Sequence, residues 1–181
     1  YFIQSSKTIS KNNKVAVHCW RGGMRSHAFA ELLSDNGLDV YLIIGGYKTF
    51  RNLVLKTFGK PYKLLLLGGY TGSGKTKILE RIKAQNQQVI DLEGLANHKG
   101  SAFGSIGLPE QPTTEAFENA LFYEFNNFNI KLPIWLEDES SNIGTVNIPS
   151  GLFQKMREAS VFFLNIPMQE RAHFLVDDYA N

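Results

Sequence analysis

Cysteine is nearly absent: Cys19 is the only one in 181 residues, so no internal disulfide framework can staple this chain. Long apolar runs are missing too, none approaching the roughly 18 residues that a membrane-spanning helix needs. Charge of one sign is lacking as well. Nineteen lysines and arginines face 17 acidic residues, and the net +2 permits contact with a polyanion without demanding it. No dense basic tail and no secretory leader pattern are visible. The expectation is a chain without membrane contact in a reducing cytoplasm. It begins at Tyr1 rather than at a methionine and reads as a fragment. The composition, 43% hydrophobic and 20% charged, suits one moderate core or two small ones.

Short apolar runs alternate with helical periodicity. Val15 to His18 reads as a strand ending at Cys19, and Ser26 as the cap of a helix that stops at Asn36 and Gly37. Val40 to Ile44 is a second strand, closed by Gly45 and Gly46, and a helix follows from about Tyr47 to Phe58. Gly59 and Pro61 break the pattern, which places a domain boundary there: 1–60 and 61–181. Beyond it, Lys63 to Leu67 is a leucine strand, Thr76 to Ala84 a helix, and Val89 to Asp91 a short strand. Leu92 to Gly107 reads as a long polar loop and Thr114 to Phe125 as a helix. Ile134 to Leu136 and Val161 to Ile166 are two more strands, with a last helix opened by Pro167. This alternation predicts an α/β fold with a parallel sheet in each part, each strand buried on both faces.

The stretch from Gly69 through Gly72, Ser73 and Gly74 to Lys75 and Thr76 fits G-x-x-x-x-G-K-[ST], and it stands between a strand and a helix, as a phosphate loop must. Its glycines let successive N–H groups curl around a phosphate at the positive end of the helix. Lys75 is expected to neutralise phosphate charge and Thr76 to hold Mg²⁺. An acidic partner for that metal is expected after a later strand, and Glu137 and Asp138 both qualify. Asp91 is a weaker candidate for a substrate hydroxyl or a metal-bound water.

"HCWRGGMRS" around Cys19 has the same placement, after a strand and before a helix. A lone free cysteine is ordinarily a small buried hydrophobe. Here Gly22 and Gly23 permit a tight turn of inward N–H groups, and Arg25 offers a planar fork for a tetrahedral oxyanion. A helix N-terminus alone lowers a thiol pKa by less than about one unit, so Arg21 or Arg25 is expected to supply the rest of the activation. His18 reads as a backbone partner before a chemical one. The spacing H-C-x5-R-S admits two chemistries: attack on phosphorus, as in cysteine phosphatases, or carriage of sulfur or selenium, as in rhodanese-like proteins.

Taken together, "HCWRGGMRS", "IIGGYKTFR", "LLLLGGYTGSGKT", "DLEGLANHKGSAFG", "WLEDESSNIG" and "IPMQERAHFLVDDY" resemble the bacterial tRNA 2-selenouridine synthase family over nearly the whole chain from Val15. The resemblance implies the C-terminal half of a rhodanese-like domain followed by a P-loop NTPase-like domain cut short at its end. It implies replacement of sulfur by selenium in wobble 2-thiouridine of tRNA, with selenophosphate as donor and geranyl diphosphate as source of an S-geranyl intermediate. Cys19 would then be the essential thiol, Arg25 and the loop amides a cradle for selenophosphate, and the Gly69 to Thr76 loop a seat for diphosphate. A selenophosphate-producing enzyme becomes an expected partner. His98, Lys99, Ser101 and Phe103 are expected to contact tRNA or roof the site, Arg171 to resemble a phosphate-sensing arginine, and Lys48, Arg51, Lys56, Lys60 and Lys63 to offer charge for RNA. The rival readings are a P-loop small-molecule kinase with an accessory sulfurtransferase or phosphatase-like domain, and a nucleotide-gated RNA-binding module without catalysis.

Overall fold

The computed structural model describes residues 1–101 and 104–179, and side chains through Val176. Phe103 therefore lies outside the described residues. The chain divides into two compact units, Tyr1–Val54 and Leu55–Asn181, so the division falls inside a helix, a few residues before the Gly59 and Pro61 breakers.

The first unit runs α1 (Phe2–Ile9), β1 (Lys14–Val17), α2 (Met24–Asp35), β2 (Asp39–Leu42) and into α3 (Gly46–Thr57). α1 answers to no reading of the sequence, although it is as amphipathic as α3. β1 and β2 pair in parallel with Val15 opposite Val40. Val17, Leu33 and Leu38 form the core, with Ile3, Phe29 and Leu42 against it. Burial alternates along both strands, and Ala16 is exposed, so these strands are not buried on two faces as expected. A two-stranded sheet has only edges, and here its core lies on one side.

The second unit continues β3 (Lys63–Gly69), α4 (Lys75–Ala84), β4 (Gln88–Val89), α5 (Leu92–Ala96), α6 (Thr114–Asn127), β5 (Pro133–Glu137), β6 (Asn142–Ile143), β7 (Val146–Asn147), α7 (Ser150–Glu158), β8 (Ser160–Leu164) and α8 (Met168–Tyr179). Four strands form a parallel sheet in the order β4-β5-β3-β8. β3 lies inside it, and its leucines Leu64, Leu66 and Leu67 are buried, as a two-faced central strand requires. Leu67, Leu79 and Val89 knit β3, α4 and β4 together. On β8, by contrast, Val161, Phe162 and Phe163 are about half exposed, because it is an edge strand.

The supposed loop from Leu92 holds α5, whose start is capped by Asp91 accepting from the Gly94 amide at 2.7 Å. The β6–β7 hairpin turns on Gly144, at φ 57°, and is antiparallel. The Gln111 side chain donates to Ala96 O (2.9 Å) and Ile143 O (3.0 Å), stitching the segment after α5 to that hairpin. Among the described residues no helix is long and apolar enough to cross a membrane.

Candidate functional site

Each unit carries one glycine turn that opens a helix. In the first, the chain leaves β1 at Val17, turns through His18 to Gly23 and enters α2. Gly22 adopts φ 66°, and a Cβ there would lie 2.6 Å from the Gly46 nitrogen. Gly46, itself at φ 65°, would overlap the Cys19 carbonyl if it carried a side chain. That carbonyl accepts from the Tyr47 amide at 2.9 Å, and Trp20 O accepts from the Lys48 amide at 3.0 Å. The glycine pair that closes β2 is thus part of the thiol loop, a close approach that only glycine permits.

The Cys19 thiol is half-buried at the bottom of this turn. Ser26 Oγ lies 3.3 Å from the sulfur, and the Gly23 amide donates to the sulfur at 3.3 Å. Ser26 hydroxyl first, then the amides of Gly23, Arg21 and Ser26, pull the thiol down from 9.0 to about 6 against the opposing effect of desolvation. The same hydroxyl sits 2.9 Å from Gly23 O. With one hydrogen to give, it can donate to Gly23 O while the thiol is protonated and to the sulfur once it is ionised.

Two expectations change here. Ser26 is not the cap of α2, a place taken by Gly23; it lies in the first turn, buried, with its hydroxyl turned to the sulfur. Arg21 and Arg25 are both exposed, and of the two only the Arg21 backbone stands among the groups that lower the thiol. A hydroxyl and a fan of amides do what charge was expected to do. His18 stacks on Tyr47, with ring centroids 5.5 Å apart.

In the second unit β3 runs into the turn Tyr70–Gly74, and α4 begins at Lys75. Gly72 (φ 80°) and Gly74 (φ 76°) hold left-handed backbone. A Cβ on Gly72 would meet Arg171 O at 2.6 Å, because α8 crosses the turn there. Arg171 is more than an exposed helix arginine: it donates to Thr71 O (3.0 Å) and Ile166 O (3.2 Å) and lies 5.0 Å above the Tyr70 ring. Lys75 Nζ donates to Gly69 O at 3.2 Å, and the buried Ser73 Oγ has no partner among the described residues. Thr76 is exposed in the first turn of α4. Gly69, Gly72, Ser73, Gly74, Lys75 and Thr76 all line one cleft of about 580 Å³.

Of the two carboxylates expected here one lines the cleft and one does not, and others line it beside them. Glu137 is fully buried and does not line it; Oε2 accepts from the Leu92 amide at 3.1 Å, and Oε1 has no partner among the described residues. Burial, then the neighbouring Asp91, pushes its pKa up to about 8, so it is mostly protonated at neutral pH. Asp138 does line the cleft, but its carboxylate is paired with Arg157. The pair closest to Lys75 in effect is Glu93 with Glu139, which are hydrogen-bonded to each other. Burial and the Glu139 charge raise Glu93 to about 7, Lys75 opposing; burial raises Glu139 as well. Sequence reasoning missed both, since Glu93 stands in the first turn of α5 and Glu139 in the segment after β5, and no shared motif joins them.

Among the described residues no group of three or more His, Cys, Asp or Glu is arranged to hold a metal by protein ligands alone. A Mg²⁺ arriving with a phosphate ligand needs fewer: Thr76 and Asp138, which line the cleft, would hold it beside phosphate oxygens and water.

Residues 62–181 match the family model described as the tRNA 2-selenouridine synthase AAA domain. The chain is 38% identical over 179 residues to a tRNA 2-selenouridine synthase of Nitrosomonas eutropha, covering 94% of this chain and 45% of that protein. Proteins of the same name from Sulfurovum sp. (38%, 94% and 47%) and Shewanella frigidimarina (36%, 94% and 47%) are similar to it over the same span. The chain therefore spans about half the length of the curated relatives it matches. No solved structure matches it. A phosphate turn that opens α4 behind a central parallel strand, matched over two thirds of the chain, places this chain in the tRNA 2-selenouridine synthase family.

Proposed function

We propose that the protein to which this chain belongs is a transferase that replaces the 2-sulfur of a wobble 2-thiouridine in tRNA by selenium, and that this chain supplies its two anion-binding turns. The relatives' shared name supports the substrate and the class of reaction; the kinase reading finds no favour in it. The observation that carries the reading on this chain is the setting of Cys19: a half-buried cysteine whose sulfur lies 3.3 Å from Ser26 Oγ and accepts from the Gly23 amide at 3.3 Å, neutral donors that favour its thiolate.

In this reading the first unit is the C-terminal half of a rhodanese-like domain. Its amides, with Arg25 and Arg21 at the rim, hold the selenophosphate anion next to Cys19. The cleft of the second unit holds a diphosphate, that of geranyl diphosphate, on the Gly69 to Thr76 amides and Lys75. The chemical logic is that alkylating the 2-sulfur makes it a better leaving group for the incoming selenium. With a tRNA substrate and a selenophosphate-producing partner enzyme, the protein of this reading works in the cytoplasm.

The test is mass spectrometry of wobble uridines from cells lacking the native activity and complemented with the full-length protein. Cys19→Ser is expected to abolish selenium while leaving S-geranyl-2-thiouridine, and Lys75→Ala to abolish both. Normal selenium content with Cys19→Ser would remove the thiol from the reaction and with it this reading of the first unit.

A further inference from the structure

His98 stands in the segment after α5 and lines the same cleft as the phosphate turn. Its placement is unusually determined for a side chain in an irregular segment. The Gly100 amide donates to Nδ1 at 3.1 Å. A Cβ on Gly104 would lie 2.7 Å from the ring's Cε1, and one on Gly144, in the β6–β7 turn, 2.8 Å from its Cδ2. Two glycines from different loops thus approach the ring more closely than a side chain at either position would allow. The segment's backbone is tied as well, His98 N donating to Glu93 O (3.0 Å) and Lys99 N to Gly104 O (2.8 Å).

With Nδ1 accepting a hydrogen bond, the hydrogen of the neutral imidazole is on Nε2. We propose that His98 is a further binding residue of this cleft, its Nε2–H donating to the anion seated on the Gly69–Thr76 turn, and that the ligand class it recognises is a diphosphate. The inference rests on the reading of the cleft as a diphosphate site. The turn's amides and Lys75 approach the anion from the start of α4, whereas His98 comes from the segment after α5; a single phosphate satisfied by the turn has no need of it, and a second phosphate does. Glu93 and Glu139, also on that side, disfavour a second negative charge unless a fixed donor offsets them. An N–H held in place by the Gly100 bond and two close glycines gives that offset without reorganisation.

The experiment uses full-length protein and inorganic pyrophosphate as the probe. Carbethoxylation of each histidine by diethyl pyrocarbonate is followed by peptide mass spectrometry, with and without pyrophosphate. The wild type is expected to show His98 protected by about tenfold while the exposed His27 and His173 are unaffected. Affinity for pyrophosphate is expected to fall about tenfold in His98→Ala and less than about threefold in His98→Gln, which keeps an N–H donor. If the wild type binds pyrophosphate and Lys75→Ala loses it, but His98 is modified at an unchanged rate, His98 is not a ligand and the diphosphate reading stands. Weakened binding by His98→Ala without protection of His98 also overturns the proposal, as a purely structural role. If wild type and Lys75→Ala are alike in failing to bind, the reading of the cleft falls and His98 with it.

Discussion

The two turns share a plan and differ in how they treat charge. Both follow a parallel strand, both contain glycine in left-handed backbone, and both open a helix. In the thiol turn the stabilising groups are neutral: one hydroxyl and the backbone N–H groups, with the arginines outside. In the phosphate turn a lysine is folded onto the loop, and carboxyl groups with raised pKa values crowd the far side. Fixed dipoles suffice to ionise a group that the protein itself carries at a defined point. A cleft that admits a charged ligand needs a mobile cation and a means of tolerating nearby acids.

The largest effect expected is a separation of the two turns. Cys19→Ser should leave pyrophosphate binding to the full-length protein unchanged, and Lys75→Ala should weaken it by about a hundredfold, the scale of losing a charge-assisted hydrogen bond together with a unit charge. Lys75→Ala should in turn leave the alkylation profile of Cys19 as it is in the wild type. Calorimetry and iodoacetamide kinetics on the same two variants decide this. Cross-effects in both directions would mean that the turns do not act separately.

Next in size are the glycines that shape the thiol turn. Gly46→Ala puts a Cβ into the Cys19 carbonyl at positive φ and should cost about 2–3 kcal/mol of stability, read by denaturant unfolding. Gly23→Ala should be nearly neutral, because Gly23 has extended backbone at φ −94° and its Cβ would meet nothing within 4 Å. Adjacent glycines in the motif, Gly22 and Gly23, therefore do not share a reason for being glycine.

This bears on what the sequence makes legible. The phosphate turn was readable because its chemistry demands particular residue types at fixed spacing, and it lies between the elements predicted to flank it. The parallel β-α-β order was readable for a similar reason, each strand being a compact apolar run. Ser26 was misread because a serine at a helix start is usually a cap, and only the three-dimensional turn brings its hydroxyl to the sulfur. Glu93 and Glu139 stand 46 positions apart, and no local pattern pairs them. α5 and the β6–β7 hairpin escaped because five- and two-residue elements carry too little periodicity to rise above their polar surroundings; α7 was amphipathic enough to be read and was passed over.

Ser26→Ala sharpens the comparison from the thiol side. Without the hydroxyl, the Cys19 pKa should rise by about one unit or more from about 6, read as the midpoint of iodoacetamide reactivity against pH. Arg25→Ala should leave the midpoint where it is. An upward shift with Arg25→Ala equal to that with Ser26→Ala would restore the guanidinium to the role the sequence suggested.

A last effect, read across pH, comes from the carboxyl groups of the second unit, and its sign is fixed by linkage. Glu137 and Glu93 have folded-state pKa values raised to about 8 and about 7, above the ordinary 4.5. Between those limits the native state binds more protons than the unfolded chain, so their contribution to stability is complete below pH 4.5 and is lost as pH rises through 7 and 8. The melting temperature should therefore fall between pH 5.5 and pH 8.5, by roughly 3 °C or more. Glu137→Gln keeps an acceptor for the Leu92 amide and cannot ionise, so it should melt higher than wild type at pH 8.5 and show a shallower slope, the remainder belonging to Glu93 and Glu139. A wild-type melting temperature that stays level over this range would mean that Glu137 ionises freely in the folded chain, its burial notwithstanding.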